Sequence, residues 1–246
     1  MRYFLEVAYK GTGYAGFQIQ QNAQTIQGEV EQALLTVFKT SIELTGSSRT
    51  DAGVHALQNY FHFDVDFEIN KKLVYNLNAI LPLAIVIKSI RLVEPNAHSR
   101  FKAVSREYKY YITKVKNPFV NDTAWYYPYT VKIDILNKAA KMITEYTDFT
   151  SFAKRNTQVN TNKSSIIKSQ WYYQNDLLVY NVEANRFLRG MVRGLVGTML
   201  LVGRNKITLQ DFKEIIEAKD CTKASFATPA HGLFLASVKY AEVVER

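Results

Sequence analysis

The chain is poor in the residues that would mark secretion, metal binding or membrane insertion. A single cysteine, Cys221, among 246 residues leaves no disulfide framework, no thiolate cluster and no cysteine pair for redox work, so a reducing compartment fits best. The four histidines, His55, His62, His98 and His231, stand far apart and in no ligand-like spacing, so no metal is expected. Long hydrophobic runs are missing as well. The one candidate, Gly190 to Gly203, is too short to span a bilayer and has Arg193 in its middle. The opening residues Met1-Arg2-Tyr3-Phe4-Leu5 lack the basic start, apolar stretch and small-residue cleavage site of a signal peptide. A cytoplasmic location without a membrane partner is the expectation.

Core-forming residues and positive charge are plentiful. The composition is 47% hydrophobic and 13% aromatic, ample for a buried core in a chain of this length. Thirty-one Lys and Arg against 22 Asp and Glu leave a formal charge of +9, which favours a polyanionic partner through counterion release. Nucleic acid is the leading candidate.

Periodicity gives the order of elements. Tyr3, Leu5, Val7 and Tyr9 alternate as a half-buried strand does, and Lys10-Gly11-Thr12-Gly13 ends it. Ile26, Val30, Ala33, Leu34, Val37 and Phe38 line one helical face behind an N-cap at Thr25. A short strand is expected at Ser41 to Thr45 and another through Phe61, Phe63, Val65 and Phe67. A helix capped by Asn70 and stopped by Pro82 comes next, and Ile85 to Val93 returns as a strand. The same order recurs after Glu94 to Arg100: a strand at Val104 to Lys114, a helix from Asp134, strands at Ile166 to Tyr173 and Leu177 to Ala184, a long helix from Arg186, a shorter one from Thr208, and a last strand at Leu233 to Tyr240. The expected fold is α+β: two ferredoxin-like β-α-β-β-α-β halves, 1–98 and 99–246, with antiparallel sheets joined side by side around a central basic cleft. Two connections are long, Lys116 to Thr130 and Thr147 to Ser165. The second, with Lys154, Arg155 and Lys163, suits a phosphate backbone, or else is a solvated surface loop.

The stretch Gly46-Ser47-Ser48-Arg49-Thr50-Asp51-Ala52-Gly53-Val54-His55-Ala56 is a small-residue loop between two strands, with one cation and one anion at its centre. Such loops let backbone approach a ligand closely. On the residues alone, Asp51 ahead of Ala-Gly is a turn residue or a catalyst, and His55 is a packed or capping imidazole or part of a site.

This loop resembles the signature of the tRNA pseudouridine synthases of the TruA type. Gly11 to Gln18, Thr25 to Gly28, Arg106 to Tyr110, Met191 to Gly197 and Pro229 to Leu233 resemble further motifs of that family, in its order, so the likeness covers nearly the whole chain. The family commonly has an acidic residue at Lys10 and a Trp at Phe17, departures expected to sit away from Asp51. The resemblance implies isomerisation of uridine to pseudouridine at positions 38 to 40 of the tRNA anticodon arm, without a cofactor, by a homodimer. It also implies roles for four residues. Asp51 is the catalytic carboxylate. Arg193 is its pairing cation, on a helix face shared with Arg186 and Arg189; on the residues alone a solvated basic stripe is the plainer reading. Tyr108 stacks on the uracil, where a core aromatic is the plain alternative. Arg49 fills the place of the flipped nucleotide, or contacts phosphate, or pairs with Asp51. Two rival functions keep the fold: a non-catalytic RNA-binding protein, and an enzyme that cuts the glycosidic bond without re-forming it.

Overall fold

Tyr3, Leu5, Val7 and Tyr9 are buried on strand β1 (Arg2–Tyr9), as their alternation requires. The structure, a computed structural model, describes residues 1–154 and 161–241. These divide into two compact units, one formed by Met1–Val104 with the segment from Phe234 onward, the other by Ser105–Leu233. Each is a mixture of helices with a mostly antiparallel sheet, an α+β arrangement.

In the first unit β1 runs antiparallel to β3 (His55–Asp64) on one side and β4 (Ile85–Val93) on the other. A two-residue strand, β2 (Thr45–Gly46), pairs antiparallel with β3, and β9 (Leu233–Tyr240) joins β3 in parallel through His55 and Ala56. Helix α1 (Ile26–Phe38) begins as expected, with Thr25 Oγ1 accepting from the Gly28 amide, and buries Ile26, Val30, Ala33 and Leu34. Helix α2 (Leu73–Ile80) buries Leu73 and Leu77 and stops at Leu81, ahead of Pro82. Asn70 is not its cap residue: Lys72 holds that position, and Asn70 Oδ1 accepts from the Lys72 amide at 2.8 Å in the turn before it.

Two strand expectations shift. The strand foreseen at Ser41 to Thr45 shrinks to β2, since Ile42 and Leu44 are buried without entering a ladder. The strand foreseen through Phe67 ends at Asp64 and begins earlier, at His55. Phe61 and Phe63 are core residues, whereas Phe67 is exposed beside Phe38, their rings 5.2 Å apart.

In the second unit β5 (Ala103–Thr113) lies antiparallel to β8 (Leu177–Ala184), and β8 to β7 (Ile166–Gln174). The long connection before Thr130 contains a short strand, β6 (Trp125–Tyr126), parallel to β5. Helix α3 (Ile133–Met142) turns Leu136, Ala139 and Ala140 inward. Helix α5 (Leu209–Glu217) starts with a full capping box between Thr208 and Asp211. In the Thr147 to Ser165 connection a 3-10 turn, Thr150–Phe152, buries Phe152, and Arg155 lies outside the described residues.

The helix expected from Arg186 is shorter. It is α4 (Met191–Gly203), and Gly190 before it takes φ +76°, a left-handed conformation that breaks any continuous helix from Arg186. Arg186 and Arg189 therefore do not share a helical face with Arg193. Almost all of α4 is buried, which accounts for its nearly uniform apolar sequence.

Candidate active site

The 46–56 loop leaves the sheet at β2 and re-enters it at β3, and its path is fixed from below by buried polar groups. Asn59, on β3 and fully buried, donates from Nδ2 to the Ser48 carbonyl at 2.8 Å and to the Tyr9 hydroxyl at 3.2 Å. Tyr9 in turn shares a 2.8 Å hydrogen bond with Thr50 Oγ1. The Ser47 amide donates to the Tyr60 carbonyl at 2.8 Å. Arg49, between the two tethered residues, is exposed, and Asp51 is half-buried. The turn suggested by Asp51-Ala-Gly is present: the Val54 amide donates to the main-chain carbonyl of Asp51 at 3.1 Å, with Gly53 at φ +76°.

The Gly11 to Gln18 segment packs directly against this loop. A Cβ on Gly11 would stand 2.0 Å from the Val54 carbonyl oxygen, and one on Gly16, which sits at φ +114°, would stand 3.0 Å from the Thr50 carbonyl oxygen. The Phe17 amide donates to that same Thr50 carbonyl at 3.1 Å. The Phe17 ring stacks on Phe61 with centroids 4.6 Å apart and lies against Gly46, where a Cβ would come within 2.3 Å of it. Position 17 was expected away from Asp51. Instead it is bonded to the residue preceding Asp51, because the turn after β1 folds back under the loop.

His55 is a packed imidazole. It is buried, stacks on Phe234 at 4.4 Å, and its Nδ1 accepts the Gly11 amide at 3.0 Å. That acceptor role places the ring proton on Nε2. His55 thereby ties the glycine turn to the end of the loop.

The other two candidates lie in the second unit. Tyr108 is half-buried on β5, opposite Val182 of β8, and meets Phe187 edge to face with centroids 5.0 Å apart. Arg193, half-buried on the first turn of α4, donates from Nε to the Thr228 carbonyl at 2.6 Å, while Thr228 Oγ1 donates back to the Arg193 carbonyl at 2.9 Å. The 225–229 segment is strapped along the helix: a Cβ on Gly197 would meet the Ser225 carbonyl oxygen at 2.4 Å, and one on Gly194 would meet the ring of Phe226 at 2.8 Å. Close backbone approach thus explains Gly197, aromatic packing explains Gly194, and backbone conformation explains Gly190. Tyr110, beside Tyr108, is fully buried and donates to the Pro229 carbonyl at 2.8 Å. Burial pushes its hydroxyl pKa well up, and the positive charge of Arg193 opposes that rise.

Asn59 and Tyr9 were not singled out from the sequence as site residues. The available signal was Asn59 itself, an amide immediately before the apolar stretch of β3, where a buried polar side chain needs specific partners. Among the described residues no group of three or more His, Cys, Asp or Glu converges as a metal site, and no helix is long and apolar enough to cross a membrane.

Fold and loop together define a basic α+β protein that holds an arginine and a carboxylate on a hydrogen-bonded, small-residue loop. The profile of a family described as tRNA pseudouridine synthase matches residues 139–241. The tRNA pseudouridine synthase A of Parabacteroides distasonis is 43% identical over 98% of this chain and 96% of its own length. That of Azobacteroides pseudotrichonymphae is 42% identical over 97% and 96%, and that of Staphylococcus aureus is 34% identical over 97% and 91%. The chain belongs to the tRNA pseudouridine synthase family.

Proposed function

We infer that this chain isomerises uridine to pseudouridine in tRNA, with Asp51 as the catalytic carboxylate. The reaction breaks the N1–C1′ bond, turns the uracil and joins C5 to C1′; C5 loses its proton and N1 ends protonated. Atoms and electrons balance within the nucleotide, so the chemistry asks for neither a redox partner nor a cofactor. It does ask for a carboxylate in a fixed position. The observation that carries the reading is the tethering of Thr50 by both side chain and carbonyl, directly before Asp51, within a chain similar over nearly its whole length to enzymes named for this activity.

Tyr108 is proposed as the stacking surface for the extruded uracil, a role consistent with its half-exposed ring and edge support from Phe187. Arg49, exposed two residues before Asp51, is the side chain proposed to fill the gap left by the flipped nucleotide. Arg193 is proposed as the cation that pairs with the Asp51 carboxylate. Positions 38 to 40 of the anticodon arm are the proposed targets, a homodimer the proposed working form, and the cytoplasm the proposed location. All of these follow from the motif likeness.

Two ferredoxin-like halves around a basic cleft remain the proposed architecture. The first unit supports it with the strand order β4-β1-β3-β2 around two helices, which is the order of a β-α-β-β-α-β unit with each crossover returning to the same sheet. The activity is tested with tRNA tritiated at uridine C5. Release of label with retention of the base in the tRNA supports isomerisation, whereas free uracil among the products would indicate a glycosidase.

A further inference from the structure

We propose that Tyr9, Thr50 and Asn59 act as a positioning clamp that sets the backbone on either side of Arg49 and so aims the carboxylate of Asp51; the proposal rests on the reading of Asp51 as the reacting group. All three residues are buried, with Asn59 at 0% exposure, Tyr9 at 5% and Thr50 at 7%. An amide and two hydroxyls in an interior cost desolvation that a hydrocarbon trio would avoid, so their hydrogen bonds must return a defined geometry.

The geometry is a relay across two strands and the loop. Asn59 on β3 engages both ends of its side chain: Oδ1 accepts the Tyr60 amide at 2.9 Å, and Nδ2 donates to Ser48 O at 2.8 Å and to the Tyr9 hydroxyl at 3.2 Å. Tyr9 on β1 passes the connection to Thr50 Oγ1 at 2.8 Å. Ser48 is thus held by its carbonyl and Thr50 by its hydroxyl. The Phe17 amide fixes the carbonyl of Thr50 from another side. With residues 48 and 50 pinned, the Arg49 and Asp51 side chains leave the loop in directions set by the sheet. An attacking group misplaced by about 1 Å can cost a hundredfold in rate, so a loop of small residues needs such a support where the carboxylate departs.

None of the three reaches a reacting atom in this account; they act through Asp51. The test compares Tyr9→Phe, Thr50→Val, Thr50→Ser and the Tyr9→Phe/Thr50→Val double variant with the wild type. Three quantities are measured: kcat for pseudouridine formation, Kd for tRNA, and amide hydrogen exchange of loop 46–54 against strands β1 and β3. Tyr9→Phe and Thr50→Val are expected to lower kcat by about ten- to a hundredfold, with Kd within about threefold and exchange raised in the loop alone. Thr50→Ser, which keeps the hydroxyl, restores most of kcat. The double variant is no worse than Tyr9→Phe alone, because Tyr9→Phe already removes the hydrogen bond that Thr50→Val removes, together with the one from Asn59 Nδ2. Wild-type kcat in Tyr9→Phe with an unchanged loop overturns the clamp, as do losses that multiply in the double variant or exchange that rises equally through β1 and β3. Failure of the wild type itself to form pseudouridine would instead overturn the reading of Asp51, while loop exchange still decides whether the clamp orders the loop.

Discussion

The amide of Gly11 donates to Nδ1 of His55 at 3.0 Å, joining the turn after the first strand to the last residues of the Asp51 loop. The two segments are 44 residues apart in the chain, and the contact leaves no room for a side chain at position 11. A Cβ there would stand 2.0 Å from the Val54 carbonyl oxygen, a backbone atom that can move only if the loop moves.

Gly11→Ala is therefore expected to destabilise the protein by about 1 to 3 kcal/mol, the usual cost of overpacking, and to lower turnover strongly. Gly13→Ala provides the contrast. Position 13 has open space around it but φ +88°, so it should cost only about 1 to 2 kcal/mol of backbone strain and leave activity largely intact. Urea unfolding and pseudouridine assays on both variants check this; equal activity losses would contradict it.

Asp51→Ala combined with Arg193→Ala measures the proposed ion pair. Arg193→Ala alone also removes the bond from Nε to the Thr228 carbonyl, so its single effect on melting mixes two losses. A double-mutant cycle separates them: a coupling of about 1 kcal/mol or more is expected for a pair in contact, and additive effects would remove Arg193 from that role.

Tyr108→Phe should bind tRNA nearly as well as the wild type, because the ring and its edge contact with Phe187 survive. Tyr108→Ala should weaken the productive complex by about 1 to 3 kcal/mol, the range for losing one base-stacking partner. Fluorescence titration with tRNA and single-turnover rates read both. A large loss in Tyr108→Phe would transfer the role from the ring to the hydroxyl.

His62 makes a prediction about acid stability. Burial, then the nearby His98 and Arg2, hold its pKa down to about 4, against an ordinary value of 6.5. Its Nδ1 accepts the Ser99 amide at 3.3 Å in the folded chain. Between those two pH values the unfolded chain binds a proton that the folded chain refuses, so stability is full above pH 6.5 and falls as the pH drops toward 4. Urea midpoints at pH 7, 5.5 and 4.5 should decline in the wild type and decline less in His62→Gln. Parallel curves would show that other groups govern the slope.

Much of this architecture was readable from residues because its signals are local. Thr25 and Thr208 each cap the helix they announce, and the alternation of β1 and the run of β8 match their burial. What was not readable depends on tertiary contacts. Gly190 looks like one more helical glycine until its positive φ ends the helix, and with it goes the arginine face foreseen from Arg186. Phe17 looks remote from Asp51 until the turn at Gly11 to Gly16 folds beneath the loop. β9 lies at the far end of the sequence and pairs with β3 in parallel, a partnership no local pattern announces. For the site, the loop around Asp51 stood out by composition, but its supports did not: Tyr9 reads as an ordinary strand residue, and Asn59 lies before the strand foreseen from Phe61.

The central claim is that the carboxylate of Asp51 performs the isomerisation, and the most direct measurement maps pseudouridine in tRNA treated with the wild type or with Asp51→Asn. The wild type should convert uridines of the anticodon arm, while Asp51→Asn should convert none yet bind tRNA within a few-fold of the wild type. Pseudouridine formed by Asp51→Asn at a rate near that of the wild type would contradict the account.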